Sequence, residues 1–395
     1  MDPTKPKRKF AVASEQEITD ARVTDVYFER VHQILTAKQV SKRVKMEIRL
    51  KRFPQGWDWG VLCGLEEALN FLEGHPLDVW SLPEGAVFHT HEPVMMIEGD
   101  YKDFDVLETS LLGFLCQASG IATKAARTVL AAAGRPVMSF GIRRAHPAIA
   151  PMIERSAFIG GCTGVASIIG AEYLGEPPVG TLPHALILLL GDSTTALSLF
   201  DEVIDPAVPR VVLVDTFGDE KFEALNNANL LGKSLSAVRL DTPSSRRGNM
   251  REIAREVRWE LDINGHEHVK IFISGGLDES VIPQLNAVAD AYGVGTSISN
   301  ARVFDFSLDI VEIEGKPVAK RGKLAGAKQL YVCSTCGRRS VTLWDRPAPR
   351  CPDGCSGTPQ AQLVAALQAG RLARALPSPQ QIRSEVVGHL PKTSG

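Results

Sequence analysis

Short apolar runs rich in β-branched residues alternate with longer helical patterns from about Arg135 onward. The strand-like runs cover residues 135–141, 162–167, 177–181, 211–215, 236–241, 270–274 and 293–296. Helix-length segments separate them, and the longest, 183–204, begins "PHALILLL". Apolar strands that alternate with helices are typical of a parallel sheet covered by helices. The pattern therefore predicts an α/β barrel of seven strands, closed or nearly closed, with an open doubly wound sheet as the alternative.

The N-terminal third follows a different pattern, with strand-like pieces at 46–53 and 86–100 and a long apolar helix from Glu108 to about Ala133. We predict a separate α+β domain over 1–134, completed by residues 302–328, which have hairpin character around "EGKP". The other divisions that we predict are a barrel domain at 135–301, a cysteine module at 329–358, and C-terminal helices and tail at 359–395, including an amphipathic helix over 359–376.

Composition argues against two classes of partner. Apolar residues make up 44% of the chain and charged residues 23%, and the net charge of −2 gives no electrostatic case for nucleic acid. No run approaches the roughly 18 uncharged apolar residues of a membrane span. The first residues also lack the apolar core of a secretory signal. We therefore expect a cytoplasmic protein without a membrane or nucleic-acid partner.

Four of the seven cysteines fall in one late segment, as Cys333-x2-Cys336 and Cys351-x3-Cys355. In a reducing compartment this spacing indicates a metal site rather than disulfides. Four thiolates complete a tetrahedral Zn²⁺ site and leave no position for water or substrate, so we predict a structural zinc. A nucleic-acid-binding ribbon is the alternative, because arginines lie nearby.

Polar and glycine-rich clusters follow nearly every predicted strand of the barrel. They read "IRRAHP" (142–147), "GTLPH" (180–184), "DTFGDE" (215–220), "RLDTPSSRRGN" (239–249), "SGGL" (274–277) and "GTS" (295–297). In barrels and in open parallel sheets alike, active sites lie beyond the carboxyl ends of the strands. We therefore expect these clusters to lie on one edge, which we call the carboxyl edge.

The chemistry of this edge suits a phosphorylated ligand. The glycines of "SGGL" and "GVGT" let backbone N–H groups approach an anion. Asp215 and Asp241 each end a strand, where they could hold Mg²⁺ or a sugar diol, or could simply cap the next helix. Arg143, Arg144 and Arg239 also lie at strand ends, where guanidinium groups bind phosphate, pyrophosphate or carboxylate.

His184 precedes the apolar run of "PHALILLL" and allows two interpretations. It could be a packed core histidine, or it could do chemistry at the carboxyl edge. If Thr181 caps the helix, Leu182 and Pro183 form its first turn. His184 would then lie at a helix N-terminus that favours a phosphoryl group, with the apolar run as the buried face of the helix.

These motifs, in this order, resemble those of the nicotinate phosphoribosyltransferases, most closely the archaeal-type branch that carries a zinc module. The resemblance extends to "TDVYF" (24–28), "QASGIATKAAR" (117–127) and the cysteine segment. It implies the type II phosphoribosyltransferase fold, in which an α/β sandwich domain accompanies an irregular seven-stranded α/β barrel. One departure is that many members read "LDSGD" where this chain has "LDTPSS".

Membership would imply transfer of the phosphoribosyl group of phosphoribosyl pyrophosphate to nicotinate, giving nicotinate mononucleotide and pyrophosphate in NAD salvage. It would also imply Mg²⁺, ATP as a co-substrate in a ligase-type coupled reaction, and a homo-oligomer with shared active sites. His184 matches the histidine that the family is thought to phosphorylate.

The resemblance also implies contacts for the other residues of the carboxyl edge. The implied contacts are Phe140 stacked on the nicotinate ring, with Tyr27 closing the pocket from a neighbouring subunit; Arg239 and Thr181 with the carboxylate; Gly275, Gly276, Gly295 and Thr296 with the 5′-phosphate; Ser274 with substrate; Asp215 and Asp241 with Mg²⁺ or ribose; and Arg143 or Arg144, with His146, with pyrophosphate.

Three other functions stay open. Quinolinate or nicotinamide could be the acceptor, or the protein could be a non-catalytic regulator that binds phosphoribosyl metabolites.

Overall fold

The computed structural model describes residues 8–246, 248–351 and 354–390. Its helices are α1 (Glu15–Thr19), α2 (Val26–Ala37), α3 (Leu65–Leu72), α4 (Glu108–Ala131), α5 (Ala150–Ile159), α6 (Ile168–Leu174), α7 (His184–Leu190), α8 (Ser193–Val203), α9 (Glu220–Leu231), α10 (Met250–Ile263), α11 (Ile282–Leu285), α12 (Thr296–Ser299) and α13 (Pro379–His389). Its strands are β1 (Arg43–Leu50), β2 (Gly60–Val61), β3 (Asp78–Ser81), β4 (Val87–Phe88), β5 (Pro93–Asp100), β6 (Val137–Ser139), β7 (Gly164–Val165), β8 (Arg210–Leu213), β9 (Leu235–Leu240), β10 (Lys270–Ser274), β11 (Ala291–Val294), β12 (Phe306–Ile313), β13 (Lys316–Pro317), β14 (Lys328–Cys333), β15 (Arg339–Leu343), β16 (Pro359–Ala361), β17 (Val364–Gln368) and β18 (Arg371–Leu372). Among the described helices, none combines the length and the apolar character that crossing a bilayer requires.

The chain divides into two compact units, each built from two stretches of sequence. Unit 1 comprises Met1–Gly120 and Arg302–Ser378, and unit 2 comprises Ile121–Ala301 and Pro379–Gly395. The long helix predicted from Glu108 to about Ala133 is confirmed as α4, and its residues are shared between the two units.

Unit 1 contains a seven-stranded sheet in the order β13-β12-β1-β5-β3-β17-β18. Its third strand, β1, pairs antiparallel with β12 and with β5, so that Ile48 lies between Leu308 and Met95. Helix α3 buries Leu65, Ala68, Leu69 and Leu72, which share one helix face. A smaller sheet, β15-β14-β16, carries the cysteine segment.

Unit 2 contains a six-stranded parallel sheet in the order β7-β6-β11-β10-β9-β8. The prediction of a strand at 177–181, which would have been a seventh strand of this sheet, is wrong, because the segment forms no regular ladder of backbone hydrogen bonds with a neighbouring strand. It does make single bonds to both ends of the sheet: Val179 N–H donates to Val165 O (2.8 Å), and Leu182 N–H donates to Val211 O (3.1 Å). One short segment reaches both edge strands, so the sheet must curl into an incomplete barrel.

The single helix predicted over 183–204 is also wrong. Gly191 adopts a left-handed conformation and ends α7, and Asp192 then caps α8 through the Thr195 N–H. The apolar run is not a buried face: Ile187 is the buried residue of α7, whereas Leu189 is 83% exposed.

The predicted helix over 359–376 is wrong as well, because this segment forms β16, β17 and β18. Strand β17 pairs antiparallel with β3, and its adjacent residues Ala366 and Leu367 are both buried against the unit 1 core, where the register shifts. The chain then returns to unit 2 as α13, which buries Ile382 and Val386. There the Arg383 guanidinium donates to the carbonyls of Cys162 (2.8 Å) and Gly161 (3.1 Å).

Candidate active site

The carboxyl ends of the parallel strands in unit 2 bring most of the sequence-predicted residues together. Strand β9 leads to Asp241, β10 ends at Ser274, and Phe140 and Gly295 directly follow β6 and β11. Parallel neighbours end on the same side of the sheet, so side chains that are far apart in sequence meet there.

Arg239 is the centre of this site. Its Nη1 donates to Thr181 Oγ1 (2.9 Å), its Nε donates to Ser274 Oγ (2.8 Å), and its Nη2 lies 3.4 Å from Asp241 Oδ1. Burial lowers the pKa of Arg239, although Asp241 opposes this shift. A guanidinium nevertheless stays charged at neutral pH. The site therefore offers a fixed, partly buried cation.

Thr181 does not cap α7, so that prediction is wrong. The helix begins at His184 after Pro183, and no side chain caps it. The Thr181 hydroxyl accepts a hydrogen bond from Arg239 instead.

Phe140 forms the aromatic wall of the site. Its ring centroid lies 5.2 Å from the Arg239 guanidinium carbon and 5.7 Å from the Phe272 ring, which meets it edge-on at 85°. Gly293 lies against the same ring, and a Cβ atom there would come within 2.6 Å of Phe140 Cδ2. A flat aromatic surface beside a cation suits a planar ring that carries a carboxylate.

His184 lies next to two carboxylates. Its Nδ1 is hydrogen-bonded to Thr216 Oγ1 (2.9 Å), while its Nε2 lies 3.8 Å from Asp215 Oδ1 and 3.7 Å from Asp241 Oδ2. The His184 side chain is 36% exposed, so it is neither a packed core residue nor fully open. Its Nε2 atom therefore faces the two carboxylates from a position that is partly open to solvent.

Asp215 is the most enclosed acid of the site, with a side chain that is 2% exposed. Burial raises its pKa, and His184 opposes that shift. Its Oδ1 is a buried oxygen without a hydrogen-bond partner among the described residues. The capping alternative is wrong for both acids, because Asp219 caps α9 and Asn249 caps α10.

Two glycine turns follow the neighbouring strands β10 and β11. Gly275 and Gly276 have φ values of +86° and +69°, a conformation that favours glycine. Gly295 precedes Thr296, the first residue of α12. The two turns therefore lie side by side, as a phosphate cradle would require.

Arg143, Arg144 and His146 lie in an exposed segment after Phe140, which contains short 3-10 helices at Ile142–Arg144 and Pro147–Ile149. The Arg143 charge acts on Arg239 and lowers the pKa of that residue. His146 Nδ1 accepts from the Ala148 N–H (3.1 Å), so a neutral His146 carries its proton on Nε2 as a donor.

Tyr27 does not belong to the group of residues at the carboxyl edge of unit 2. It belongs to α2 of unit 1, where it is 54% exposed and its Oη lies 3.4 Å from Asp25 Oδ2.

The four late cysteines form a second candidate site, in unit 1. Their Sγ atoms all lie within 4.8 Å of one another, with Cys333 and Cys355 at 3.8 Å and Cys336 and Cys351 at 3.4 Å. Sulfur atoms around a tetrahedral Zn²⁺, with bonds of about 2.3 Å, lie roughly 3.8 Å apart. The cluster therefore fits the metal that its spacing predicts.

Sequence reasoning missed Thr216, Phe272 and Gly293 as parts of the site. Thr216 stands inside the quoted motif "DTFGDE", and Gly293 begins "GVGT", so both could have been considered. Phe272 points toward Phe140 from the middle of an apolar strand, and no sequence signal separates it from a core residue.

Family comparisons agree with this geometry. The quinolinate phosphoribosyl transferase family matches in both parts, its N-terminal domain at residues 25–119 and its C-terminal domain at 121–309. Nicotinate phosphoribosyltransferase pncB2 of Mycobacterium tuberculosis is 30% identical over 363 residues, which cover 81% of this chain and 75% of the relative. The chain belongs to the nicotinate phosphoribosyltransferase family.

Other members extend the comparison. The Bacillus subtilis nicotinate phosphoribosyltransferase is 28% identical, covering 70% of this chain and 64% of its own length. The crystal structure of nicotinate-nucleotide pyrophosphorylase from Pyrococcus furiosus superposes with a TM-score of 0.94 at 52% identity, covering 96% of this chain and 97% of that one. Human nicotinic acid phosphoribosyltransferase, at 19% identity and a TM-score of 0.76 over 93% of both chains, shares the fold.

Proposed function

We propose that the protein transfers the phosphoribosyl group of phosphoribosyl pyrophosphate to nicotinate, giving nicotinate mononucleotide and pyrophosphate for NAD salvage. The observation that supports this most directly is Arg239, a half-buried cation held between Thr181 and Ser274 beside the Phe140 ring. Arg239 would bind the carboxylate while Phe140 stacks on the pyridine ring, and Arg143 would face the pyrophosphate.

The reaction needs positioning more than proton transfer. The pyridine nitrogen has a lone pair and no proton, so it can attack the anomeric carbon as the bond to pyrophosphate breaks. The departing pyrophosphate carries the electron pair, and cationic groups that face it lower the barrier. Arg143 and Arg144 are exposed in the segment after Phe140 and would supply that charge, and the exposed His146 would donate a hydrogen bond from Nε2.

The acids fit Mg²⁺, because Asp215 Oδ1 is buried and lacks a partner among the described residues. Asp215 and Asp241 would hold this ion, which would neutralise the charge of the phosphoribosyl donor. The paired glycine turns would hold the 5′-phosphate through backbone N–H groups. The cysteine cluster would hold a structural Zn²⁺, as in the archaeal-type members that the sequence resembles.

Several finer features belong to this proposal. His184 would accept the terminal phosphoryl group of ATP, so that hydrolysis drives synthesis as in a ligase. Residues 177–182 would close the barrel in place of a regular seventh strand. Tyr27 would complete the pocket of a second copy, in a homo-oligomer located in the cytoplasm.

Quinolinate is the second candidate acceptor, because the matching family domains are named for its transferase. It carries one more carboxylate than nicotinate, so it needs another cation at the ring. Arg239 shares its charge with Asp241, and Arg143 would have to leave the pyrophosphate to serve that second carboxylate. The site therefore favours nicotinate.

An acceptor assay tests the proposal. Pyrophosphate release is measured with nicotinate, nicotinamide or quinolinate, each with Mg²⁺ and phosphoribosyl pyrophosphate, with and without ATP. We expect turnover with nicotinate, and faster turnover with ATP. Release with quinolinate alone would establish the second candidate, and no release with any acceptor would indicate a non-catalytic binding protein.

His184→Ala tests the coupling. We expect it to lose stimulation by ATP while keeping slow ATP-independent synthesis, whereas His266→Ala, at a histidine that bonds to Asn229 away from the carboxyl edge, should keep both. Stimulation of the His184→Ala enzyme by ATP would contradict a phosphohistidine at this position.

A further inference from the structure

Ser274 occupies a position between the two halves of the site. It is the last residue of β10 and is 2% exposed, so its side chain cannot meet a ligand in solution. Its hydroxyl accepts from Arg239 Nε (2.8 Å) and donates to Asp241 Oδ1 (2.7 Å). The direction of both bonds is fixed, because a guanidinium only donates and a carboxylate only accepts.

The hydroxyl therefore links a cation to an acid that serve different substrates in the proposed function. In the proposed function Arg239 would bind the acceptor through its Nη atoms, of which Nη1 also donates to Thr181, whereas Asp241 Oδ2 lies 3.7 Å from His184 Nε2. Asp241 Oδ1 is the oxygen that Ser274 and Arg239 share. A nicotinate carboxylate would compete with Asp241 for the Nη2 donor, and Ser274 would then still hold the acid in place.

We propose that Ser274 is a positioning residue that couples acceptor binding at Arg239 to binding of the phosphoribosyl donor at Asp241. Each ligand orders the same hydrogen-bonded side chains of Arg239, Ser274 and Asp241. Binding of the second ligand therefore costs the protein less side-chain entropy. The coupling is reciprocal by thermodynamic necessity. This inference rests on the proposed function. It adds that each of the two substrates tightens the binding of the other, whichever of them binds first.

Calorimetry measures the coupling directly. Nicotinate is titrated into the full-length protein alone, and then in the presence of Mg²⁺ and an unreactive carbocyclic analogue of phosphoribosyl pyrophosphate. In the wild type we expect the analogue to tighten nicotinate binding by about 5-fold or more, the usual range for linked sites. In Ser274→Ala we expect this factor to fall to about 1, while each ligand alone still binds.

Ser139→Ala is the matched control. Ser139 ends β6 in the same sheet, is fully buried, and has an Oγ without a hydrogen-bond partner among the described residues. We expect this variant to keep the wild-type coupling factor. If Ser274→Ala does not fold, Ser274→Cys makes the same test, since a thiol of similar size is a weak donor and a weak acceptor.

Three outcomes would overturn the inference. They are an unchanged coupling factor in the Ser274 variants, a wild-type factor of about 1, and variants that bind the donor analogue normally but not nicotinate, which would assign Ser274 to the acceptor side alone. Failure of the proposed function is separate, because it would appear as a wild-type enzyme without turnover of nicotinate.

Discussion

Gly293→Ala is a sharp test of the aromatic wall. An added Cβ would lie 2.6 Å from Cδ2 and 2.7 Å from Cε2 of Phe140, and 3.2 Å from Cζ of Phe272. Carbon atoms in contact are about 3.5 Å or more apart, so the Phe140 ring must move by roughly 0.8 Å or more. That movement would tilt the ring away from an acceptor bound at Arg239.

The expected loss follows from the value of stacking. An aromatic side chain that stacks on a heterocyclic ring contributes about 1–3 kcal/mol. A displaced ring should lose the lower part of that range, about 1 kcal/mol, which corresponds to an increase of roughly 5-fold in the KM for nicotinate. Overpacking should also destabilise the fold by about 1–3 kcal/mol. The KM for phosphoribosyl pyrophosphate should change little.

Steady-state kinetics at saturating phosphoribosyl pyrophosphate measure the effect, with Phe140→Ala as the background for a double-mutant cycle. Once the ring is removed, only the 3.2 Å contact with Phe272 remains, so Gly293→Ala should raise the KM for nicotinate little further in the Phe140→Ala enzyme. Equal losses in both backgrounds, or an unchanged KM in a folded Gly293→Ala enzyme, would refute the role of Phe140 as the stacking wall.

Three further predictions concern stability and metal. Asp215→Asn should abolish activity yet raise the unfolding temperature at neutral pH, because burial raises the pKa of Asp215 and disfavours its charged form. The gain in unfolding temperature should vanish as the pH falls toward about 4, where Asp215 becomes protonated in the folded and unfolded states alike. A variant that is less stable than the wild type at pH 7 would contradict this reasoning. Metal analysis should give about one zinc per chain, reduced in Cys336→Ser, and a zinc content that this substitution leaves unchanged would exclude the cluster. Arg383→Ala should lower the free energy of unfolding by about 1.5–3 kcal/mol, because Arg383 donates to the Cys162 carbonyl. Substitution of its exposed neighbour, Ser384→Ala, should leave the free energy of unfolding unchanged.

The sequence predicted those parts of the fold that depend on regular repetition. Parallel strands in unit 2 and the long helix α4 were readable because their apolar residues recur over whole elements. The failures lie where local conformation interrupts the pattern. Gly191 splits one predicted helix into α7 and α8 through its left-handed conformation, and a glycine inside an apolar helical pattern gives little warning of that.

The residues of the site were predictable as a group, because parallel strands bring their carboxyl ends together. Their pairwise roles were not predictable. Thr181 was expected to cap a helix but accepts from Arg239, since the direction of a hydroxyl depends on tertiary neighbours. Ser274 was predicted only as a substrate-binding residue, and its hydrogen bonds to Arg239 and Asp241 could not be read from the sequence.

The two-stretch construction of each unit sets the order in which the chain can fold during synthesis. Strand β1 acquires its outer neighbour only when β12, some 260 residues later, has left the ribosome, a wait of tens of seconds at about 5–20 residues per second. The surface that receives α13 stays open until Val386 is made. The nascent chain therefore carries an unpaired strand edge until β12 has emerged and an uncovered apolar surface until α13 has emerged. Because each unit is built from two separate stretches of sequence, neither unit corresponds to one contiguous fragment of the chain.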